Sequence, residues 1–216
     1  GRQREDLARM QVTYDRWFHE RPLHDSGKVT EALELLRAKG EIFESEGAQW
    51  FRATKYGDEK DRVMIKKDGL PTYTLPDIAY HRDKFARGYT RGVDLVGADH
   101  QVEMATLRSA LGAIGEPVDR MEVIIIQFVT LKRGGEQVKM SKRSGDVVLL
   151  SDLIEDVGPD VARFFFLMRS PNSHLDFDLD LAKTESSENP VFYLQYAHAR
   201  LCGVISKAAD AGVPVP

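Results

Sequence analysis

The sequence predicts an α/β fold: a parallel sheet with a small antiparallel β insertion, followed by an all-α C-terminal segment. Three observations predict it. Two short runs read as apolar on both faces, 93–96 and 123–131, flank a helical pattern over 102–113. Strand–helix–strand with doubly apolar strands is how a parallel sheet covered by helices reads. Residues 41–67 instead break into short β-type runs separated by glycine and by charged turns. The last third carries helical periodicity over 151–156, 159–168 and 190–209.

Taken in order, residues 11–18 alternate apolar and polar, which suits a half-buried strand. After Pro22 a helix is predicted over 28–38, with Val29, Ala32, Leu33 and Leu36 on one face and Gly40 as its stop. The insertion follows, with β runs at 42–43, 48–54 and 63–65 and breaks at Gly47 and at Gly57-Asp58-Glu59-Lys60-Asp61. Gly69-Leu70-Pro71 is a turn, and Pro76 stands as the first-turn proline of a helix running to Ala86. Then come the strand at 93–96, the helix at 102–113 and the run 123–131, whose consecutive Ile124, Ile125 and Ile126 make it the most strand-like stretch. Residues 169–189 read as a polar link between helices. No internal repeat is present.

Composition excludes several classes. With 42% apolar and 30% charged residues over 216 positions, the chain is neither disordered nor of low complexity, and its length suits one or two domains. No apolar run approaches the ~18 residues that span a bilayer, and no signal peptide opens the sequence, so no membrane partner is expected. The single cysteine, Cys202, rules out an internal disulfide and a cysteine-rich zinc site and fits the reducing cytoplasm. The six histidines include no pair at helical spacing. Asp176-Phe177-Asp178-Leu179-Asp180 imitates the start of a calcium loop, but Leu181 and Ser187 stand where glycine and glutamate are required. No protein-bound metal is therefore expected. A net charge of −4 argues against an overall basic nucleic-acid binder, so any RNA contact must be local. The chain starts at Gly1 without a methionine and ends at Pro216 just past a helix, and both ends read as cut.

Two polar loops follow the predicted parallel strands, where ligands bind in such sheets. In Gly97-Ala98-Asp99-His100 the glycine permits close backbone approach and the carboxylate can accept from a ribose hydroxyl pair; the plainer reading is a tight turn whose aspartate caps the next helix. The second loop spans 131–145, with five cations (Lys132, Arg133, Lys139, Lys142, Arg143) against the single carboxylate of Glu136 between 132 and 143, and glycines at 134, 135 and 145. Such a loop suits a polyphosphate, because lysines placed on a departing pyrophosphate stabilise the transition state more than the ground state. The plainer reading is a solvated basic hairpin.

Lys139-Met140-Ser141-Lys142-Arg143 resembles the Lys-Met-Ser-Lys-Ser loop of class I aminoacyl-tRNA synthetases. Asp77-Ile78-Ala79-Tyr80-His81, Gly97-Ala98-Asp99-His100, Phe165-Phe166-Leu167-Met168-Arg169-Ser170, His174-Leu175-Asp176-Phe177-Asp178 and the stretch from Asn189-Pro190-Val191 to Arg200 are similar to bacterial arginyl-tRNA synthetases. The likeness covers about 11–207. It implies the second half of a Rossmann-type catalytic sheet, acting on L-arginine, ATP with Mg²⁺ and tRNA(Arg), in a family whose default state is a monomer. The implied segments are a lead-in strand (1–21), an α/β insertion (22–70), the second half of the nucleotide-binding domain (71–145), stem-contact helices (146–187) and the start of a helical anticodon-binding domain (188–216).

Residue by residue, the resemblance implies that Asp77 binds the guanidinium with Tyr73 beside it, and that Gln101 also borders the arginine. Asp77 sits in the first helical turn, where the dipole is expected to keep it ionised. Without the family, an ordinary first-turn aspartate and a half-buried core tyrosine are the plainer readings. Gly97, Asp99 and His100 match the ribose loop, although His100 also reads as a turn histidine, and Phe128 and Val129 would border the adenine. Lys139 and Lys142 would stabilise the pyrophosphate, flanked by Met140, Ser141 and Arg143, the last replacing the family's terminal serine. No His-x-x-His occurs in the sequence, so the family's His-x-Gly-His motif is missing. The chain thus reads as an internal piece with little aminoacylation activity of its own. Two alternatives stay open: a noncatalytic RNA-binding or interaction module, and another nucleotidyl-transferring enzyme of related fold.

Overall fold

The structure is a computed structural model that describes residues 1–138 and 148–213. The chain divides into two compact units, 16–126 and 1–15 with 127–216. Helix α1 (Arg2–Arg9) opens the chain and belongs to the second of these.

The strand expected over 11–18 is absent. Gln11 takes a φ of 55°, which interrupts an extended run at its first residue, and Tyr14 is 56% exposed. The alternation misled because its apolar members serve different cores: Val12 packs with Met10 and Leu131, Phe18 with the core of unit 16–126.

In unit 16–126, α2 (Arg21–Asp25) leads into α3 (Lys28–Ala38), which buries Val29, Ala32, Leu33 and Leu36 as its spacing predicts. Gly40, at φ 73°, lets the chain turn back so that Glu41 N–H donates to the Leu36 carbonyl. Strands β1 (Ile42–Ser45), β2 (Ala48–Phe51) and β3 (Arg62–Ile65) form the antiparallel insertion in that order. The run expected to reach Thr54 stops at Phe51, because Asp61 takes both the N–H and the hydroxyl of Thr54 and the chain coils into a 3-10 turn. Helix α4 (Thr74–Ala86) holds Pro76 in its first turn. Strand β4 (Gly92–Gly97), α5 (Gln101–Ala113) and β5 (Met121–Ile126) then make a parallel βαβ unit, with Gly92 beside Met121 and Gly97 beside Ile126. Phe51, Met64, Leu36, Leu75, Ile78, Leu107 and Leu111 share one core, which ties insertion, helices and sheet together. Val93 and Leu95 remain 44% and 65% exposed, so among the described residues only one face of β4 is covered.

The single strand expected over 123–131 is two strands. The break falls at Gln127 and Phe128, where Gln127 N–H donates to the Pro171 carbonyl. Beyond it β6 (Val129–Arg133) pairs antiparallel with β7 (Glu136–Gln137) and parallel with a strand 42 or more residues later in sequence, β8 (Leu175–Asp178), after α6 (Leu150–Val157) and α7 (Pro159–Leu167). The link at 169–189 therefore holds structure that its charge disguised. In β8, Leu175 and Phe177 are buried while Asp176 is exposed, and Phe177 lies 5.1 Å and 5.4 Å from the Phe165 and Phe166 rings. Asp178 caps α8 (Leu179–Lys183) by accepting from Asp180 and Leu181 N–H. The C-terminal segment is thus mostly rather than wholly helical.

Helix α9 (Pro190–Asp210) starts at a buried cap, Asn189. Its amide nitrogen donates to the Ala182 and Thr184 carbonyls while its oxygen accepts from Val191 and Phe192 N–H. Val191 is its only buried residue; Tyr193, Leu201 and Val204 stand exposed. No helix among the described residues is long and apolar enough to cross a membrane.

Candidate active site

Asp77 lies one turn into α4 and lines a cleft of about 220 Å³ with Phe18, Glu20, Leu23, Pro76 and Tyr80. No hydrogen bond or ion pair to its carboxylate is formed among the described residues. Burial raises its pKa, with Glu20 and Asp94 adding to the rise and His81 and Lys84 opposing it. Desolvation, which disfavours the charged form, is the largest of these influences. An unpaired, half-buried carboxylate is costly unless a cation completes it. Phe18 and Tyr80 rings, 4.4 Å apart, add aromatic faces to the same cleft. A carboxylate fork beside aromatic faces suits a guanidinium, which is planar and weakly hydrated.

Tyr73 is the residue before α4 and has helical backbone angles, φ −59° and ψ −31°. Four residues before Asp77, it continues the same helix face. It is 90% exposed, so it is no core tyrosine.

Beneath Asp77 sits a cluster that the sequence reading passed over. His81 Nδ1–H donates to the Asp77 carbonyl at 2.8 Å, and His81 Nε2 lies 2.8 Å from Asp94 Oδ2. Lys84 Nζ donates to Asp94 Oδ1 at 2.6 Å and stands 4.5 Å from the centre of the Tyr80 ring. Burial pushes the Asp94 carboxyl up, but the hydrogen bonds and charges of His81 and Lys84 hold it down at about 2. The signal was present in the sequence as a carboxylate inside an otherwise apolar run, 93–96.

At the end of β4, Gly97 has extended angles (φ −67°, ψ 158°), and a Cβ there would lie 2.6 Å from Asp99 Oδ1. The glycine is what allows the Asp99 carboxylate to fold back over the strand end. Asp99 does not cap α5: the cap residue is His100, with no side-chain cap bond. Asp99 instead stands exposed, 3.7 Å from His100 Nε2. The helix-cap reading of this loop is thereby removed. Gly97→Ala is expected to cost under about 1 kcal/mol of stability, since only an exposed side chain must move; thermal melts check it.

Gln101 opens α5 but lines a different cavity, about 320 Å³, with Tyr56, Asp58, Arg62 and Val102. Among the described cavities it lines this one and not the Asp77 cleft. Asp58 is held below the usual carboxylate range, chiefly by its Arg62 pair and against the pull of burial, and it accepts from Thr106. That cavity wall is therefore a joint between the insertion and α5.

In the other unit, Phe128 falls in the break between β5 and β6, 61% exposed, and Val129 opens β6 beside Leu175. Neither lies at the end of a single long strand. Lys139, Met140, Ser141, Lys142 and Arg143 lie outside the described residues. Of the five cations of that loop, Lys132 is paired with Asp176 and Arg133 with Asp156. Lys132 also holds Asp176 below its ordinary range. Two of the charges are thus answered within the fold, which thins the basic surface available to RNA. Among the described residues no group of three or more histidine, cysteine, aspartate or glutamate side chains is placed to hold a metal ion.

Comparison with known proteins sets these features in context. A family profile described as tRNA synthetases class I (R), catalytic domain, matches residues 5–165. Over 213 residues the chain is 51% identical to an arginine–tRNA ligase of Desulforamulus reducens and 53% identical to one of Heliobacterium modesticaldum, covering 99% of this chain and 38% of either relative. A Campylobacter jejuni crystal structure provisionally assigned as an arginyl-tRNA synthetase superposes with a TM-score of 0.85 at 37% identity, over 95% of this chain and 45% of that one. The Thermus thermophilus arginyl-tRNA synthetase superposes at 0.72 with 21% identity, over 94% of this chain and 44% of that one, a likeness of fold. The chain thus spans about 38% of the length of these curated relatives.

Proposed function

We propose, for a chain that belongs to the family of class I arginyl-type tRNA synthetase catalytic domains, that it carries the amino-acid cleft and one nucleotide loop of an arginine–tRNA ligase. That ligase joins arginine to ATP as arginyl-adenylate and passes arginine to tRNA(Arg). The observation that carries the reading is Asp77, a half-buried carboxylate without a partner among the described residues, in a cleft with Phe18 and Tyr80. In the first step the arginine carboxylate attacks the α-phosphorus of ATP and pyrophosphate leaves. Asp77 and Tyr73 hold the guanidinium end, Asp99 accepts from the ribose, with Gly97 giving it room, and Phe128 and Val129 border the adenine. Lys139 and Lys142 neutralise the pyrophosphate as its charge grows, which lowers the barrier. Mg²⁺ enters with ATP on the phosphate oxygens. Residues 71–145 form the second half of the nucleotide-binding domain, 146–187 face the tRNA stem, and 188–216 begin the anticodon-binding helices. The ligase works as a monomer in the cytoplasm.

The test is calorimetry with a nonhydrolysable arginyl-adenylate analogue, the lysyl analogue serving as control, on the ligase carrying this chain. The arginyl form is expected to bind at least about 100-fold more tightly, because a lysine ammonium cannot use a carboxylate fork in pairs. Equal binding of the two would remove the arginine reading. Salt-dependent tRNA binding with no binding of either analogue would favour the noncatalytic RNA module.

A further inference from the structure

We infer that Asp94 is a positioning residue for the amino-acid cleft, acting through His81 and Lys84 on the Asp77 peptide and the Tyr80 ring. The inference rests on the reading of Asp77 as the guanidinium ligand and deepens it.

Along β4 the carboxylate of Asp94 is turned to the helix-covered side, where its side chain is 12% exposed. Burying a charge there is expensive, and a well-packed apolar residue would serve stability as well or better. A role beyond stability explains its presence. Each carboxylate oxygen has its own partner, Oδ2 facing His81 Nε2 at 2.8 Å and Oδ1 accepting from Lys84 at 2.6 Å. His81, 7% exposed, reaches the Asp77 carbonyl with its other nitrogen. Lys84 lies over Tyr80, and the Tyr80 ring meets His81 edge-on with centroids 5.8 Å apart. Two walls of the cleft, Asp77 and Tyr80, are thus both gripped by one anion on the neighbouring strand.

That strand also ends in the ribose loop, with Gly97 three residues after Asp94 and Asp99 just beyond. The cluster therefore sets the register of α4 on β4, and with it the placement of the guanidinium ligand relative to Asp99. The ring of His81, wedged between helix and strand, makes that register a fixed one.

A matched control exists in the insertion of the same unit. Glu41 is at least as buried, its side chain 5% exposed, and is ion-paired with Lys55, with no contact among the described residues to Phe18, Asp77 or Tyr80. In the ligase carrying this chain, Asp94→Asn is expected to raise the KM for arginine about tenfold in arginine-dependent ATP–pyrophosphate exchange, with the KM for ATP within twofold. Glu41→Gln is expected to lower the Tm comparably and leave both KM values within twofold. A common response of the two variants, or none in Asp94→Asn, would overturn the inference. Should Asp94→Asn fail to fold, Lys84→Gln asks the same question from the more accessible side of the cluster: a rise of about threefold in the arginine KM is expected, and no rise would overturn it. Asp77→Ala run in parallel separates the two levels, since an unchanged arginine KM there would show that the guanidinium assignment itself is wrong.

Discussion

Asp77→Asn is expected to cut arginine-dependent ATP–pyrophosphate exchange by 10²–10³-fold in kcat/KM while leaving the unliganded protein no less stable. The first half follows from removing one partner of a desolvated ion pair, which costs about 3–5 kcal/mol. The second half follows from the raised pKa of Asp77. Below the pKa of an unfolded aspartate, about 3.9, the group is protonated in both states and the folded protein keeps its full stability. As the pH climbs through the raised value of the folded state, the carboxylate must ionise in a poorly solvated cleft, and stability is lost. At neutral pH the charge is a net cost that asparagine does not carry, so a Tm equal to or above that of the parent is expected. On the proposed reading arginine binding has the opposite slope, because only the ionised carboxylate pairs with a guanidinium. Its affinity should fall on acidification at a pH above that of an ordinary aspartate. Calorimetric titration across pH 4–7 with parallel melts checks both slopes; a stability loss in Asp77→Asn would mean that the carboxylate has a structural partner.

Lys142→Ala is the second large effect, expected to lower kcat for exchange by 10²–10³-fold with the arginine KM within twofold. A cation that meets pyrophosphate only as charge develops acts on the transition state, and losing one such donor costs about 3–4 kcal/mol. Lys139→Ala should act in the same direction. Because the two lysines would act on one leaving group, the double variant should fall short of the product of the single effects. Single-turnover pyrophosphate release reads the chemical step directly. A pure rise in the arginine KM would place the lysines in ground-state binding instead.

Where the sequence was legible, one physical preference decided the element. The apolar stripe of α3, the first-turn proline of α4 and the strand–helix–strand rhythm of β4, α5 and β5 all correspond to burial that the chain achieves locally. It was opaque where partners distant in sequence decide. The run 123–131 looks continuous because apolarity does not record that Ile126 pairs beside Gly97 while Val129 pairs beside Leu175. Strand β8 hid among aspartates, since Asp176 and Asp178 mask the Leu175–Phe177 alternation. Asp77 and Asp99 were nameable through the family, but the field around Asp77 was not: the helix dipole can be read from spacing, while desolvation depends on Phe18 and Leu23 arriving from outside α4. Asp94 was missed for the complementary reason, that a charge within an apolar run is easily averaged away.

Asn189 has one consequence that is geometrical. The helix it starts has 21 residues, which at 1.5 Å per residue makes a rod of about 32 Å. With Val191 as its only buried residue, the rod is held chiefly at its base. A tilt of about 10° there would sweep the far end sideways by about 5 Å, more than the width of a hydrogen bond. The four bonds at one side-chain amide therefore act as a bearing that sets the direction in which the helix leaves its base.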